Sequence, residues 1–581
     1  MSIIKELKES LKEIVKESGY EEDDLAFSLS QRKDLGDYQL NDALKLASKY
    51  HENPIQIAEK IAGNLKKDAR FINVNIAGPG FINFSLSDEF LCKSMNLIIE
   101  NKENNIDKEE EKKIFMDYGG ANIAKTLHVG HLRSANIGEA VKRLSRALGY
   151  NVISDVHFGD IGRQSGMVIS EIKEEHPNLP YFDENYKGDY NDIDFEITED
   201  DLGRIYPLAN TKAKEDPKKM EEVIEITRKL EEGHKGYNAL WNKIKEVSIK
   251  DIKGVYKKIG TTFDLYEGES DCYPYIPEMI NEMRKKGYLR KSEDAEVIDV
   301  KEDTDKEPMP PLVVVKSNGG ALYATRDLAT IKSRMERFNP DEIWYFADNR
   351  QSLYFEQVFR AARKTGLVNK ETKLGFYGFG TMNGEDGKPF KTRDGGVMSL
   401  KELIKIVTDE EEKKVNEDIV GKENKTKVAE MVGISSLKYA DLIPYRETDY
   451  IFSKDKFLSL DGKTAPYLLY SVVRIKSLLK KADEKCYMVT KLKGTEDRKL
   501  MLTLLNLPTV LTNSLKIKSL NELSDYIYEL TSAYNSFYNS NKILTEKDEK
   551  LKSSWIALSK LVYDTNIYIL NILGLEVPEK M

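Results

Sequence analysis

Histidine and cysteine are scarce in this chain, and no long apolar run interrupts it. Its three cysteines, Cys92, Cys272 and Cys486, stand far apart with no C-x-x-C spacing. That supports neither a disulfide framework nor a cysteine-ligated zinc site, no metal ligand set is assigned, and a reducing cytoplasm is the expected setting. No uninterrupted apolar stretch approaches the ~20 residues that a membrane span needs, so no membrane partner is expected. The opening MSIIKELKESLKEIVKESGY alternates charges of both signs through an apolar period of three to four. It reads as an amphipathic helix and has neither the apolar centre nor the cleavage site of a secretion signal. Internal repeats and long low-complexity tracts are also absent. The net charge of −9 argues against nonspecific coating of nucleic acid. It leaves room for a local basic groove, because steering of a polyanion depends on how charge is distributed.

What is there is a globular composition, 40% hydrophobic with 32% charged, over 581 residues, enough for roughly three or four domains. Two charge-dense stretches, 99–113 and 408–427, read as connectors or solvated helix faces. Residues 1–108 carry helical patterns followed by FINVNIAGPGFINFSL, two β-like runs around Gly78-Pro79-Gly80, which predicts an α+β module. Residues 109–427 alternate helical patterns with the strand candidates KIFMDYG, NVISDVHFG, EIWYFAD and KLGFYGFG. Such alternation predicts a doubly wound, Rossmann-like parallel sheet with its ligand site at the carboxyl ends of the strands. From 428 to 581 helical periods dominate, predicting an all-α bundle.

Two of the six histidines lie three residues apart in ANIAKTLHVGHLRSA. Composition alone would give an H-x-G-H match about 0.004 times in such a chain. Leu132, Ala135, Ala140, Val141, Leu144 and Leu148 follow at helical spacing, so His128 and His131 sit at the first turn of a helix that leaves a strand. The free N–H groups and dipole of that turn make an anion site. Gly130 allows a nucleotide close to the backbone, and imidazoles there can donate to phosphate oxygens as charge builds.

HVGH resembles the HIGH signature of class I aminoacyl-tRNA synthetases, and the longer NIAKTLHVGHLRSANIGEA resembles arginyl-tRNA synthetases in particular. GDYQLNDALKLA, GPGFINFSL, HFGDIGRQSGM, ALYATRDLA, GKPFKTRDGG and LSLDGKTAPYLLYSVVRI extend the likeness, in order, over essentially the whole chain. The resemblance implies activation of L-arginine with MgATP to arginyl-adenylate, then transfer to the 2′-OH of the terminal adenosine of tRNA(Arg), by a monomer. In such a reaction positioning and charge stabilisation carry the chemistry.

It also implies roles. His128 and His131 would contact the ATP phosphates without acting as general bases, and Gly130 would make room for the nucleotide. Lys391 and Arg393 correspond to a degenerate KMSKS loop that neutralises pyrophosphate, with Lys125 compensating for its atypical sequence. Gly159, Asp160, Gly162 and Gln164 would shape the nucleotide and terminal-adenosine pocket. Asp117 and Asn122 would hold the amino end of arginine, and Tyr323, Asp327 and Gln351 its guanidinium, since a desolvated cation needs partners. Ile161 stands where the family usually has tryptophan, Arg163 where it often has threonine, and Tyr354 where histidine is frequent.

For tRNA, the resemblance points to Phe81 and Asn83 in the 1–108 module as contacts to the D-loop, and to an insertion near 170–290 as the guide for the acceptor end. Residues 428–581 would bind the anticodon with Tyr467, Tyr470, Arg474, Tyr534, Phe537, Tyr538 and Asn541, by stacking and phosphate contacts. Taken alone, tyrosines at helical spacing read as core. A catalytically silent paralogue that only binds tRNA is the alternative from another functional class.

Overall fold

Four short strands, Lys113–Asp117, Asn151–Asp155, Glu342–Tyr345 and Lys373–Phe376, fall on the four strand candidates and pair in parallel. The computed structural model describes residues 2–581 apart from 31, 33, 294, 316–321, 389–397 and 483–486. In the sheet the spatial order is fourth, third, first, second. The crossover from the first strand therefore runs one way and the chain returns to the third strand on the other side. This places a crevice beyond Asp117 and Tyr345, where the order reverses. Ile114, Phe115, Met116, Ile343 and Trp344 are buried, the continuous apolar run expected of strands covered on both faces.

Val129–Ala147 is the crossover helix. Three further helices, Glu199–Glu215, Pro217–Glu231 and Lys235–Lys258, occupy the insertion. A three-stranded antiparallel sheet, Arg290–Ser292, Ala295–Ile298 and Leu312–Val315, follows it.

Contacts divide the chain into two compact units, Glu110–Val415 with Glu423–Leu458, and Met1–Glu109 with Asn416–Lys422 and Ser459–Met581. Helical periodicity from 428 onward thus spans both. Helix Lys425–Leu442 packs against Leu400–Glu412 and Val129–Ala147, and its polar groups are used inside the first unit. Asp441 accepts from Arg133 Nε at 2.8 Å and from Asn136 at 2.9 Å, and Lys438 Nζ donates to the Ile259 carbonyl at 2.8 Å. A helical period shows that a face is buried but not against what.

In the other unit, Phe27–Leu29, Tyr38–Leu40, Phe81–Leu86 and Phe71–Ala77 form an antiparallel sheet in that order. The last two are joined through Gly78 and Gly80, both at positive φ, as the Gly-Pro-Gly turn predicts. Ala465–Lys481, Asn521–Ser540 and Glu549–Leu573 are the long bundle helices. The stretch Thr495–Ile517 is long and apolar enough by composition to cross a membrane. It is folded as two helices, Thr495–Leu505 and Leu507–Ile517, with Pro508 at the start of the second, and Leu500, Leu504 and Leu511 are fully buried.

Candidate active site

After the first strand the chain bends through Gly119 and Gly120, both at positive φ, and enters the helix at His128. His128 is its N-cap: the backbone is extended and ring Nδ1 accepts the Gly130 N–H at 3.0 Å. His131 returns the arrangement, its Nδ1 accepting the His128 N–H at 3.1 Å, and the rings lie 4.0 Å apart. Two imidazoles do here what a Ser/Glu capping box does elsewhere. A side chain at Gly130 would bring its Cβ within 2.9 Å of His128 Cε1, so this glycine is needed for the ring as well as for a ligand.

Partial desolvation by its neighbours, reinforced by the Lys125 charge, holds the His128 ring below the ordinary imidazole range although its edge is open to solvent. Burial and the neighbouring His128 bring His131 down to about 3. Both rings are therefore neutral near pH 7. With Nδ1 accepting, each carries its proton on Nε2, and the Nε2–H of exposed His128 is a donor for an incoming oxyanion. Lys125 stands beside the turn, its Nζ 4.7 Å from the centre of the Tyr206 ring.

Lys391 and Arg393 lie outside the described residues. Downstream of them, Leu400 N–H donates to the Leu127 carbonyl at 2.8 Å, and His128 bridges to Ser399, so the chain that follows the basic motif is stitched to the histidine turn.

The strand ends carry an acidic cluster. Arg334, only 1% exposed, donates from Nη2 to Asp117 Oδ2 at 2.7 Å and to Asp155 Oδ2 at 3.2 Å, and its guanidinium lies 4.5 Å from the centre of the Phe115 ring. His157 Nδ1 approaches Asp155 Oδ2 to 3.4 Å. Burial pushes the Asp155 carboxyl up, but His157 and Arg334 outweigh it and hold it at about 2. Arg326 pairs with Glu269, and the Tyr323 ring, 67% exposed, stacks 4.8 Å from the Arg326 guanidinium.

Asp327 differs from these acids. Among the described residues no basic side chain forms an ion pair with it, and its one hydrogen-bond donor is the neutral hydroxyl of Tyr354. Burial pushes its carboxyl above the ordinary value, against the hydroxyl and the His157 charge. Arg334, Arg326 and His157 thus face four acids, Asp117, Asp155, Glu269 and Asp327, which leaves negative charge in excess. A cleft of this charge favours a cation.

The remaining sequence-predicted residues divide. Asn122 and Gly159 are brought together: the Ile123 N–H donates to the Gly159 carbonyl at 3.0 Å and the Gly159 N–H to the Ala121 carbonyl at 2.9 Å. A Cβ on Gly159 would lie 2.2 Å from Asn122 Oδ1, and Gln164 Nε2 donates to the Gly159 carbonyl. Gly162 takes φ +120 as the N-cap of Arg163–Glu175. Asp160 is 4% exposed, and its carboxylate accepts from Ser270 N–H at 2.9 Å and from Lys245 at 3.3 Å, which anchors the loop. Ile161 is half-buried and Arg163 exposed. Gln351 is exposed at the end of the short turn Asn349–Gln351.

Among the residues expected to meet tRNA, Tyr534 and Phe537 are fully buried. The Tyr534 hydroxyl donates to Ser559 Oγ at 3.2 Å. These two are core and offer no face to a base. Arg474 bonds Asn535 and lies 4.7 Å from the centre of the Tyr538 ring, Tyr467 accepts from Asn535 at 2.8 Å, and Asn541 donates to Asp497 at 3.2 Å. Tyr470 is exposed. Asn83 is 1% exposed and donates to the Phe81 carbonyl at 3.3 Å, while Phe81 is half-buried.

Arg334, Glu269 and the Tyr354–Asp327 bond were not legible in sequence. The one signal was an arginine in register with Leu328, Ala329 and Ile331 on the helix Tyr323–Phe338, all of them buried.

With this geometry in hand, comparison with known proteins is consistent along the whole chain. Residues 94–454 match the family described as tRNA synthetases class I (R), catalytic domain. Residues 1–86 match the arginyl tRNA synthetase N terminal domain, and 468–581 match the DALR anticodon binding domain. The chain is 42% identical to an arginine–tRNA ligase of Alkaliphilus oremlandii, covering 100% of both, and 44% identical to one of Agathobacter rectalis, covering 97% of both. Its fold is similar to the crystal structure of arginyl-tRNA synthetase from Plasmodium falciparum, with TM-score 0.80, 26% identity and 99% of each chain covered. It is also similar in fold to the arginyl-tRNA synthetase of Thermus thermophilus, with TM-score 0.81, 20% identity and 100% of each chain covered.

Proposed function

This chain belongs to the arginyl-tRNA synthetases of class I, and we propose from that premise how its residues share the work. It is an arginine–tRNA ligase that uses ATP. In the first step an oxygen of the arginine carboxylate attacks the α-phosphorus of MgATP, forming arginyl-adenylate and releasing pyrophosphate. In the second the 2′-oxygen of the terminal adenosine of tRNA(Arg) attacks the arginyl carbonyl, and AMP leaves.

His128 donates its Nε2–H to a phosphate oxygen at the helix amino end, and neutral His131 braces it. A neutral, correctly tautomeric donor stabilises growing negative charge without taking a proton. Lys125, Lys391 and Arg393 meet the departing pyrophosphate, and the magnesium arrives on the ATP phosphates. Gly130, Gly159, Gly162 and Gln164 wall the adenosine. Asp117, held by Arg334, and Asn122 take the amino end of arginine. Asp327 takes the guanidinium, flanked by Tyr323 and Gln351.

The 1–108 module meets the D-loop through half-buried Phe81, with Asn83, 1% exposed, bracing that strand from within. The insertion near 170–290 guides the acceptor end, and the carboxyl-terminal helices bind the anticodon with Tyr467, Tyr470 and Tyr538 nearest the surface. The enzyme works as a monomer, and the three isolated cysteines support a cytoplasmic setting. Intact His128, His131, Lys125 and Asp327 count against a silent paralogue.

The observation that carries the arginine site is the Asp327 carboxylate, hydrogen-bonded by a phenol and, among the described residues, in no ion pair with a basic side chain. The test is arginine- and tRNA-dependent ATP–pyrophosphate exchange in the wild type and in Asp327→Asn. Loss of the charge should raise the arginine KM about 100-fold or more while the ATP KM stays within about twofold, because a polar site left unmatched discriminates strongly. Equal loss toward arginine and ATP, or none, contradicts the assignment.

A further inference from the structure

We propose that Tyr354 is a positioning residue for substrate selection, its phenol fixing the plane of the Asp327 carboxylate so that the guanidinium of arginine meets it in one orientation. This role rests on the reading of Asp327 given above. Tyr354 lies in the helix Ser352–Thr365 and Asp327 in Tyr323–Phe338, and the two helices pack on one another. The Tyr354 hydroxyl donates to Asp327 Oδ2, and its ring is fixed edge-on against Phe355 at 5.6 Å in the apolar cluster beneath the cleft.

The terminal torsion of a carboxylate is broad, so a carboxylate without a fixed partner presents its lone pairs over a wide arc. A guanidinium is planar and binds best when two N–H groups meet acceptors in that plane. Orientation is therefore worth more to arginine than to an ammonium, which reads a point charge. The neighbouring acids are oriented by cations, Asp117 by Arg334 and Glu269 by Arg326. At Asp327 a resident arginine would also present a planar fork of N–H donors and so compete for the same in-plane acceptors that the substrate guanidinium needs.

A neutral donor resolves the conflict. It occupies one oxygen, leaves the other open with its charge intact, and adds a hydroxyl lone pair as a further acceptor. Burial and the adjacent Asp327 push the phenol's own ionisation far up, so it remains a donor at any working pH.

The test compares Tyr354→Phe and Tyr354→His with the wild type in arginine charging of tRNA, resolving kcat and KM for arginine and for ATP. Removing the hydroxyl should raise the arginine KM about tenfold, the scale of a lost hydrogen bond to a charged group, with kcat and the ATP KM within about twofold. Histidine, which can supply an N–H to the same oxygen, should recover most of the loss. An arginine KM unchanged in Tyr354→Phe, or a parallel rise in the KM of arginine and ATP, overturns the proposal. A wild-type protein that charges no tRNA with arginine overturns the function itself, and this role with it.

Discussion

A histidine at each end of a reciprocal capping arrangement explains why this histidine-poor chain places two of them three residues apart. The sequence exposed the pair and the helix they start, because both depend on spacing within a few residues. It did not expose the tautomer, which follows from hydrogen bonds at 3.0 and 3.1 Å to backbone N–H groups. Nor could it expose the neutrality, which comes from burial. The neutrality has a consequence for stability. His131 is lowered from the ordinary 6.5 to about 3 in the folded protein. Between those values the unfolded chain binds a proton that the native state refuses, so stability falls as pH drops from about 6.5 toward 3. His131→Asn keeps an acceptor for the His128 N–H and removes the titration. Urea midpoints at pH 7 and pH 5 should therefore fall further for the wild type than for the variant, and equal falls would remove His131 as the cause.

Each element of the sheet was legible, and the reason is local. KIFMDYG, NVISDVHFG, EIWYFAD and KLGFYGFG are short apolar runs bounded by turn residues, and the structure makes a strand of each. What spacing could not say is how an element is seated. Helix Val129–Ala147 meets the end of the first strand through Gly138, where an added Cβ would fall 2.3 Å from Cγ of Tyr118. Tyr118 cannot yield, since it is buried and its hydroxyl is tied to Glu139 at 2.9 Å and to the Thr262 carbonyl at 2.8 Å. Alanine is better than glycine in a helix by about 1 kcal/mol. Overpacking costs about 1–3 kcal/mol, and here the steric term should win. Gly138→Ala is expected to lower the thermal midpoint by several degrees and to reduce ATP–pyrophosphate exchange, because the histidine turn rides on the same helix. An unchanged midpoint would mean that the helix shifts without cost.

At the scale of the whole molecule, composition and order along the chain predicted three parts, and the contacts make two compact units. The first 109 residues and the carboxyl-terminal helices share one of them. Arg498, from helix Thr495–Leu505, reaches Asp37 and Asp88 and donates to the Leu86 carbonyl. Asn96 exchanges two hydrogen bonds of 2.9 Å with Val489. Pairings between residues about 400 apart leave no periodic trace, so a reading by windows separates what the fold joins. The same limit applies to tRNA contacts. Tyr534 and Tyr470 look alike in the sequence of the bundle, yet one is fully buried and the other 48% exposed. Within the cleft, Asp117, Asp327 and Tyr354 stood out in the sequence but Arg334, Glu269 and every pairing did not, because Asp117 with Arg334 and Asp327 with Tyr354 are chosen by packing between elements.

The central claim is that this cleft activates arginine and delivers it to tRNA. The most direct measurement is ATP–pyrophosphate exchange and tRNA charging with purified protein, using arginine with and without tRNA(Arg), and lysine as the control amino acid. The account predicts exchange and charging with arginine and neither with lysine, since the ammonium cannot use the oriented carboxylate. Folded protein that binds tRNA but neither exchanges nor charges with arginine would contradict it.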